Sequence, residues 1–201
     1  MSVISVGFVA SAAEATFTAN TALTSVDNSY ASVYGTNHLA NSSMTYSLVG
    51  DTTAWSGTNT PNFTQLTDGL TDSRWMIQPK GAVMGDSATN YTQKEEYLQF
   101  QFAFKTAYNG LEKFLFSFDA TGGSLHYEIF ASDSLDTLYS KSLYERSVAS
   151  DASSMEHIID FSALELKGIK YFAVRFYNLQ LWGDRILPYE IAVYGGKAAF
   201  Q

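Results

Sequence analysis

The chain has 201 residues, a length at which all-β sandwiches and barrels commonly form a single domain. With 20 acidic and 12 basic residues its formal net charge is −8, which disfavours nucleic acid and anionic membrane surfaces as partners because attraction to phosphate is lacking. It contains no cysteine and no apolar run as long as a transmembrane helix, so we expect neither disulfides nor membrane insertion.

Residues 1–35 form a segment of their own composition, rich in Ala, Ser, Thr and Val and almost uncharged. Such a segment has too few large apolar side chains for a core, so it becomes ordered only by packing on another surface. We predict an N-terminal extended arm that serves as an assembly contact with a neighbouring subunit, although packing on its own domain would order it equally well. Residues 1–13 end in small residues but lack the basic start of a signal sequence, and we interpret them as part of the arm.

From residue 36 onward, short patterned runs alternate with turn residues. The clearest run is residues 97–104 (YLQFQFAF), where Leu98, Phe100, Phe102 and Phe104 occupy every second position and predict a half-buried strand. Further strands are predicted at residues 113–118, 125–132, 138–143, 157–161 and 171–177. This spacing, without long amphipathic helices, predicts an all-β fold, an antiparallel two-sheet sandwich over residues 36–201.

Residues 66–75 (LTDGLTDSRW) combine a turn with oxygen-bearing side chains. Asp68-Gly69 is a strong turn dipeptide, because Gly tolerates positive φ and the Asp side chain can bond the following backbone. Asp68, Asp72 and Ser73 place side-chain oxygens near turn carbonyls, and these are the hard ligands that Ca²⁺ prefers. An Arg-Trp pair closes the loop with a guanidinium and a large apolar ring.

This order of residues resembles the opening loop of discoidin-like domains, the galactose-binding-like β-sandwiches also known as coagulation-factor C-type domains. Residues 189–195 (YEIAVYG) resemble the Glu-bearing last strand of such domains, and residues 38–47 resemble their first strand. Animal members often carry a terminal disulfide, so a chain without cysteine resembles a bacterial or viral relative. The resemblance implies a discoidin-like jelly roll.

The same resemblance implies a structural calcium site. Its ligand positions fall on Asp68, Ser73 and Glu190 in this chain. The family often has an acidic or amide residue directly after the Gly, where this chain has Leu70, and Asp72 is then an alternative ligand. The competing interpretation is a loop without an ion, in which Asp68 and Glu190 only accept hydrogen bonds from backbone amides.

Residues with the spacing of a catalytic site are lacking. His38, His126 and His157 are scattered and none stands beside a Ser-Gly elbow or an acidic metal motif, while Gly122-Gly123 is a hairpin turn without a phosphate-binding Lys. We therefore predict that the protein is not an enzyme. A sugar site needs an aromatic platform flanked by planar polar groups, and the predicted loops offer Trp55, Trp182, Asp184 and Arg185 as ligand-binding residues.

Two functions from different classes are compatible with these features. The first is a non-catalytic structural and attachment protein of a virus particle, such as a bacteriophage tail, baseplate, capsid-decoration or fibre component. Its partners would be other virion subunits or copies of itself. The second is a bacterial carbohydrate-binding module or lectin, secreted or at the cell surface, with a cell-surface glycan as its partner. The step from a sandwich fold to either role is an analogy, so the site must decide.

Overall fold

The fold consists of two antiparallel sheets packed face to face. The computed structural model describes residues 13–23, 29–49, 55–56, 63–70, 78–79, 97–121, 124–149, 155–177 and 185–199. The strands are β1 (Thr16–Thr21), β2 (Ser42–Val49), β3 (Trp55–Ser56), β4 (Gln78–Pro79), β5 (Tyr97–Asn109), β6 (Lys113–Thr121), β7 (Ser124–Ser132), β8 (Tyr144–Ala149), β9 (Met155–Asp160), β10 (Ile169–Tyr177), β11 (Arg185–Tyr194) and β12 (Lys197–Ala198). A helix, α1 (Tyr30–Tyr34), and 3₁₀ turns at His38–Asn41 and Ser162–Leu164 lie between them.

One sheet has four strands in the order β1-β9-β6-β11. The other has the order β12-β5-β10-β7-β8, with β2 pairing the same edge of β5 as β12 does. The short strands β3 and β4 pair with each other, and every pair is antiparallel. The predicted fold class, an all-β antiparallel two-sheet sandwich, is confirmed. Within the described part of the chain, no helix is long and apolar enough to cross a membrane.

The core lies between the two sheets and is dominated by phenylalanine. Leu98, Phe100, Phe102 and Phe104 of β5 are all buried at alternate positions, as the period-two pattern predicts. Phe114 of β6 stacks on Phe172 of β10 with ring centroids 5.6 Å apart. Because successive side chains of a strand point to opposite faces, the remaining residues of β5, β7 and β10 point away from the core. They form the outer face of the six-stranded sheet.

The four-stranded sheet is covered on its outer face by α1, while Phe63 and Leu66 of residues 63–70 pack into the main core. Ser29 begins α1 as its N-cap, accepting from the amide of Ser32. Tyr30 is completely buried in a cluster with Leu115, Ala192 and Tyr194, and its hydroxyl donates to Oγ of Ser117 at 2.6 Å. The sheet therefore has two buried faces, one in the core and one beneath this cover.

Part of the predicted arm belongs to the sandwich. Residues 16–21 form the edge strand β1 and pair in register with β9, from Thr16 opposite Asp160 to Thr21 opposite Met155. Residues 30–34 form α1. β1 therefore obtains its hydrogen bonds by strand addition to its own sheet, and the domain boundary predicted at residue 36 stays a prediction. An assembly contact of residues 1–35 with another subunit stays a prediction.

The strand predicted at residues 138–143 is wrong. Residues 135–139 form turns, with the amide of Leu138 donating to the carbonyl of Leu135. Leu138 is completely buried against Phe130 and Ala173. This apolar residue suggested a strand, but in the fold it packs the turn segment onto the outer face of the sheet. The edge strand β8, which follows this segment, is not among the predicted strands.

Candidate functional site

Residues 66–70, the described part of the predicted ion loop, are fixed between α1 and β11. The amide of Tyr30 donates to the carbonyl of Gly69 at 2.9 Å, and the amide of Ile191 donates to the carbonyl of Leu66 at 2.7 Å. Gly69 has φ of +81°, the left-handed conformation expected of the Asp-Gly turn. Asp68 accepts from the amide of Leu70 at 2.9 Å, which is the local bond predicted for a turn Asp.

Glu190 lies beneath this loop and is completely buried. Its Oε2 accepts from the amide of Gly69 at 3.0 Å, and its Oε1 accepts from the side-chain amide of Asn37 at 2.9 Å. Asn37 also donates to the carbonyl of Ile191 and accepts from the amides of Leu39 and Val193. Asn37 therefore joins the loop, the 3₁₀ turn and the last long strand, a role that the sequence analysis missed.

The structure brings together two members of the predicted calcium set. Burial raises the pKa of the Glu190 carboxyl to about 9, the two N–H donors oppose that rise, and the nearby Asp68 charge adds to it. Among the described residues, Glu190 accepts hydrogen bonds from the neutral N–H groups of Gly69 and Asn37. The candidate ligand atoms of Asp68 and Glu190 are carboxyl oxygens. Carboxyl oxygens are the ligand type that Ca²⁺ prefers, and a bound cation would favour the ionised form of Glu190 against the burial that raises its pKa. Asp72 and Ser73 lie outside the described residues, and the complete site stays a prediction.

The predicted sugar-contact residues do not lie on a described surface. Trp182 and Asp184 are outside the described residues. Trp55 and Arg185 lie on the backbones of β3 and β11, and their side chains are outside the description. Their role stays a prediction, and a second surface has to be considered on its own evidence.

That second surface lies on the outer face of the six-stranded sheet. We call it the polar-aromatic face. It consists of Tyr97, Gln99, Gln101, Tyr139 and Arg175. Gln99 and Gln101 are alternate residues of β5, and Arg175 of β10 lies directly opposite Gln99. Tyr139 is supplied by the turns that cross this face. All five side chains are half-buried, so each is ordered by neighbours and still reaches the surface.

Arg175 is at the centre of the polar-aromatic face. Its guanidinium carbon lies 4.2 Å from the ring centroid of Tyr97 and 3.9 Å from that of Tyr139. Its Nε donates to Oε1 of Gln99 at 2.8 Å, and the Tyr139 hydroxyl donates to Oε1 of Gln101 at 2.7 Å. Cation-π contacts of this kind hold a guanidinium plane parallel to aromatic surface. The result is a set of planar polar groups and rings fixed before any ligand arrives.

The protonation state of Tyr139 suits a surface that presents hydrogen-bonding groups and aromatic rings to a ligand. Burial raises the pKa of its hydroxyl to about 12, against a smaller lowering by the Arg175 charge. The phenol is therefore neutral near neutral pH and donates to Gln101, while its ring keeps the electron-rich face that packs on C–H groups and cations. This face thus has both acceptor and donor groups beside apolar ring surface.

The remaining histidines have structural surroundings. His157 is buried between Phe17 and Phe118 and lies 3.1 Å from the Tyr127 hydroxyl, and burial together with the Arg146 charge lowers its pKa to about 4. Nε2 of His38 lies 2.8 Å from the carbonyl oxygen of Gly195. In the described part of the chain, the imidazole of His157 contacts aromatic rings and a phenol, and the imidazole of His38 contacts a backbone carbonyl. The prediction that they are structural stays the better interpretation.

Comparison with known proteins does not name a family. No protein-family model matches the sequence, and no curated protein matches it. Chitosan-binding module 1 of a chitosanase/glucanase from Paenibacillus sp. IK-5 has a similar structure, with a TM-score of 0.47 and 18% identity over 79% of this chain and 98% of that chain. The Clostridium perfringens protein CpGH89CBM32-6 gives a TM-score of 0.39 and 13% identity over 76% of this chain and 94% of that one.

A family 11 carbohydrate-binding module of a Clostridium thermocellum cellulosomal cellulase is similar at a TM-score of 0.39 and 10% identity, over 96% of this chain and 94% of that one. TM-scores and sequence identities this low do not support an inference about ligands. The fold assignment therefore rests on the strand order of this chain, and the function has to be argued from its own side chains.

Proposed function

We propose that this chain is a non-catalytic carbohydrate-binding module whose polar-aromatic face binds a saccharide. The observation that supports this most directly is the position of Arg175 between the rings of Tyr97 and Tyr139, with two glutamine amides alongside. A saccharide presents C–H patches on its ring faces and pairs of hydroxyls at its edges. Aromatic rings complement the first, and planar guanidinium and amide groups complement the second.

Preorganisation supports the same proposal. Binding costs free energy for every side chain that must be ordered, about 0.5–1.5 kcal/mol for each flexible one. Here Gln99 and Gln101 are already oriented by Arg175 and Tyr139, and Tyr139 is fixed by the buried Leu138 next to it. A neutral polysaccharide such as a β-glucan or galactomannan suits this face better than a polyanion, since the chain carries a net charge of −8.

Calcium is proposed as a structural component and not as a sugar ligand. Glu190 belongs to the four-stranded sheet and bonds to the loop that carries Asp68, whereas the polar-aromatic face belongs to the six-stranded sheet. We propose that Asp68, Glu190 and Ser73, with Asp72 as the alternative, hold Ca²⁺ and that the ion stabilises the loop. Its removal is then expected to lower stability and to leave the polar-aromatic face in place.

The role of a virion component has less support than that of a carbohydrate-binding module. Its main sequence support is an arm that needs another surface, and β1 finds that surface within its own sheet. Attachment proteins of virus particles also bind glycans, so a sugar site is compatible with both roles. The oligomeric state separates them: a stable symmetric assembly favours the virion component, and a monomer retarded by polysaccharide favours the isolated binding module.

The experiment is affinity electrophoresis in native gels that contain hydroxyethyl cellulose, laminarin or galactomannan, followed by calorimetry with oligosaccharides of the retarding polymer. Wild-type protein is expected to be retarded by at least one of them. Tyr139→Ala and Arg175→Lys should abolish or strongly weaken retardation, because one removes a ring and the other removes the planar fork.

Thr18→Ala on the exposed side of β1 is the matched control and should migrate as wild type does. Thermal melts of all four proteins show whether a loss of retardation comes with a loss of folding. Equal retardation of wild type and both face variants would place the sugar site elsewhere, and no retardation by any of the three polymers would contradict the proposal for neutral glycans.

A further inference from the structure

A second group of side chains lies beside the polar-aromatic face, where β7 pairs with the edge strand β8. His126 and Glu128 are alternate residues of β7 on the outer face of the sheet, and Glu145 of β8 lies directly opposite Glu128. One nitrogen or oxygen from each of these three residues lies within 4.8 Å of the others. His126 and Glu128 are buried, while Glu145 is exposed at the sheet edge.

The neighbours of this group orient its ligand atoms. Oγ of Ser147 lies 3.2 Å from Nδ1 of His126, so the opposite ring nitrogen, Nε2, faces Oε2 of Glu145 at 3.9 Å. The Tyr177 hydroxyl donates to Oε2 of Glu128 at 2.7 Å. In metal sites, hydrogen bonds to the far atoms of imidazole and carboxylate ligands fix their orientation and increase affinity.

The distance between His126 and Glu145 bears on a second interpretation of these side chains, as a catalytic triad with Ser147. Ser147, His126 and Glu145 occur in the order of a nucleophile, base and carboxylate. However, 3.9 Å is beyond hydrogen-bond range, so the carboxylate does not orient the imidazole as a catalytic base requires. In the described geometry the three residues therefore do not form a hydrogen-bonded relay.

Charge supports an ion at this place. Like charges at directly opposed positions of paired strands destabilise a sheet, and Glu128 and Glu145 occupy such a pair with one partner buried. Arg175 of β10 lies opposite Glu128 on its other side, where its Nε donates to Gln99 and its guanidinium carbon lies over two tyrosine rings. A divalent cation between the two glutamates would offset the repulsion.

We propose that His126, Glu128 and Glu145 form a binding site for a first-row divalent transition metal, of which zinc is the representative. An imidazole nitrogen with two carboxylates suits zinc and its neighbours, whereas Ca²⁺ and Mg²⁺ prefer oxygen ligands alone. Ligands about 2.1 Å from one ion can be at most about 4.2 Å apart, so the exposed Glu145 side chain must rotate inward to close the site. A fourth position remains for water or another ligand. Such an ion would fasten the edge strand β8 to β7.

The test is calorimetric titration of metal-free protein with zinc chloride, without any saccharide, so that its result does not depend on the sugar proposal. One zinc ion per chain is expected. Glu145→Gln should weaken binding at least about tenfold, because it removes a charged ligand that is exposed and not needed for packing. Glu165→Gln, an exposed glutamate in the turn after Ser162–Leu164, is the matched control and should bind as wild type does.

Two further measurements keep the proposal testable. Cobalt substituted for zinc should give a visible absorption band that Glu145→Gln alters and Glu165→Gln does not. His126→Ala should abolish binding, and if that variant does not fold, Glu145→Gln alone decides. Zinc binding of equal strength in wild type and Glu145→Gln, or the absence of stoichiometric binding in wild type, would overturn the proposal. An excess of calcium chloride should not displace the zinc.

Discussion

Asn37 and Glu190 are 153 residues apart in the chain, yet the Asn37 amide donates to Oε1 of Glu190 at 2.9 Å. The same side chain reaches the amide of Val193 at 3.1 Å and the amide of Leu39 at 3.0 Å. It therefore acts as the connection through which the last long strand holds the turn before β2. The carboxylate in turn fixes Gly69, so the position of the ion loop depends on this pair.

Asn37→Ala is expected to lower the free energy of unfolding by about 2–4 kcal/mol, since several buried partners lose their hydrogen bonds at once. Urea denaturation of both proteins measures the difference. Asn41→Ala is the control, because Asn41 ends the same 3₁₀ turn and is exposed, and it should stay within about 0.5 kcal/mol of wild type. An Asn37→Ala variant as stable as wild type would show that the connection does not hold the fold.

Calcium should raise the melting temperature of wild-type protein and a chelator should lower it, because an ion bound only by the native state adds stability by mass action. Asp68→Ala should abolish this response while keeping the fold, since the Asp68 side chain is exposed. Asp136→Ala, an exposed aspartate in the turns near Leu138, should respond as wild type does. An identical melt of metal-free protein with and without calcium would contradict the ion site.

The inner face of β5 allows a direct measurement of core stability. Phe102 is completely buried, and Phe102→Ala is expected to cost about 3–5 kcal/mol through lost transfer free energy and the cavity that remains. Thr106→Ala, at an exposed position of the same strand, should cost less than about 1 kcal/mol. Chemical denaturation of the two variants gives the comparison. Similar values for both would mean that the strand register is wrong.

His157 should make stability depend on pH. Its pKa is lowered from 6.5 to about 4 in the folded chain, chiefly by burial. Between these values the unfolded chain binds a proton that the native chain does not, so stability is fully present above about pH 6.5 and falls as the pH drops toward 4. The loss attributable to this group is on the order of 3 kcal/mol.

Urea denaturation at pH 7.5 and pH 4.5 tests this dependence. His157→Gln cannot bind that proton and should lose less stability than wild type between the two pH values, whatever its stability at pH 7.5. If the two proteins lose the same amount, His157 does not contribute to the acid sensitivity of the fold.

The sequence predicts the strands of this protein better than its surfaces. The period-two pattern of β5 identifies its buried face because burial of Phe100 and Phe102 depends on local alternation alone. The segment 138–143 misleads because Leu138 is apolar for a tertiary reason, packing on Phe130, and its backbone bonds are those of a turn. Edge strand β1 has little pattern to detect, since only Phe17 of its residues is half-buried.

The candidate sites divide in the same way. Asp68 and Glu190 could be paired because a family resemblance links both ends of the chain. Gln99, Tyr139 and Arg175 come together only through strand pairing and a turn, which no local pattern reveals. A signal is nevertheless present in retrospect: the outward positions of β5, β7 and β10 carry Gln99 and Gln101, His126 and Glu128, and Arg175 and Tyr177. Polar residues at alternate positions of central strands are typical of any solvent-facing sheet face, so this signal alone does not identify a binding site.

The N-terminal segment gives the last prediction. Tyr30 is completely buried against Leu115 and Ala192, and β1 closes the edge of the four-stranded sheet. Deletion of residues 1–35 is therefore expected to expose Leu115 and unpair β9, and so to give a protein that unfolds or aggregates.

Tyr30→Ala should lower the free energy of unfolding by about 3–5 kcal/mol through the loss of a buried aromatic ring, whereas Val33→Ala on the exposed side of α1 should change it little. Circular dichroism and urea denaturation measure both effects. A truncated chain that keeps its β-sheet signal and its stability would show instead that the segment is an arm, and would return weight to an assembly role for it.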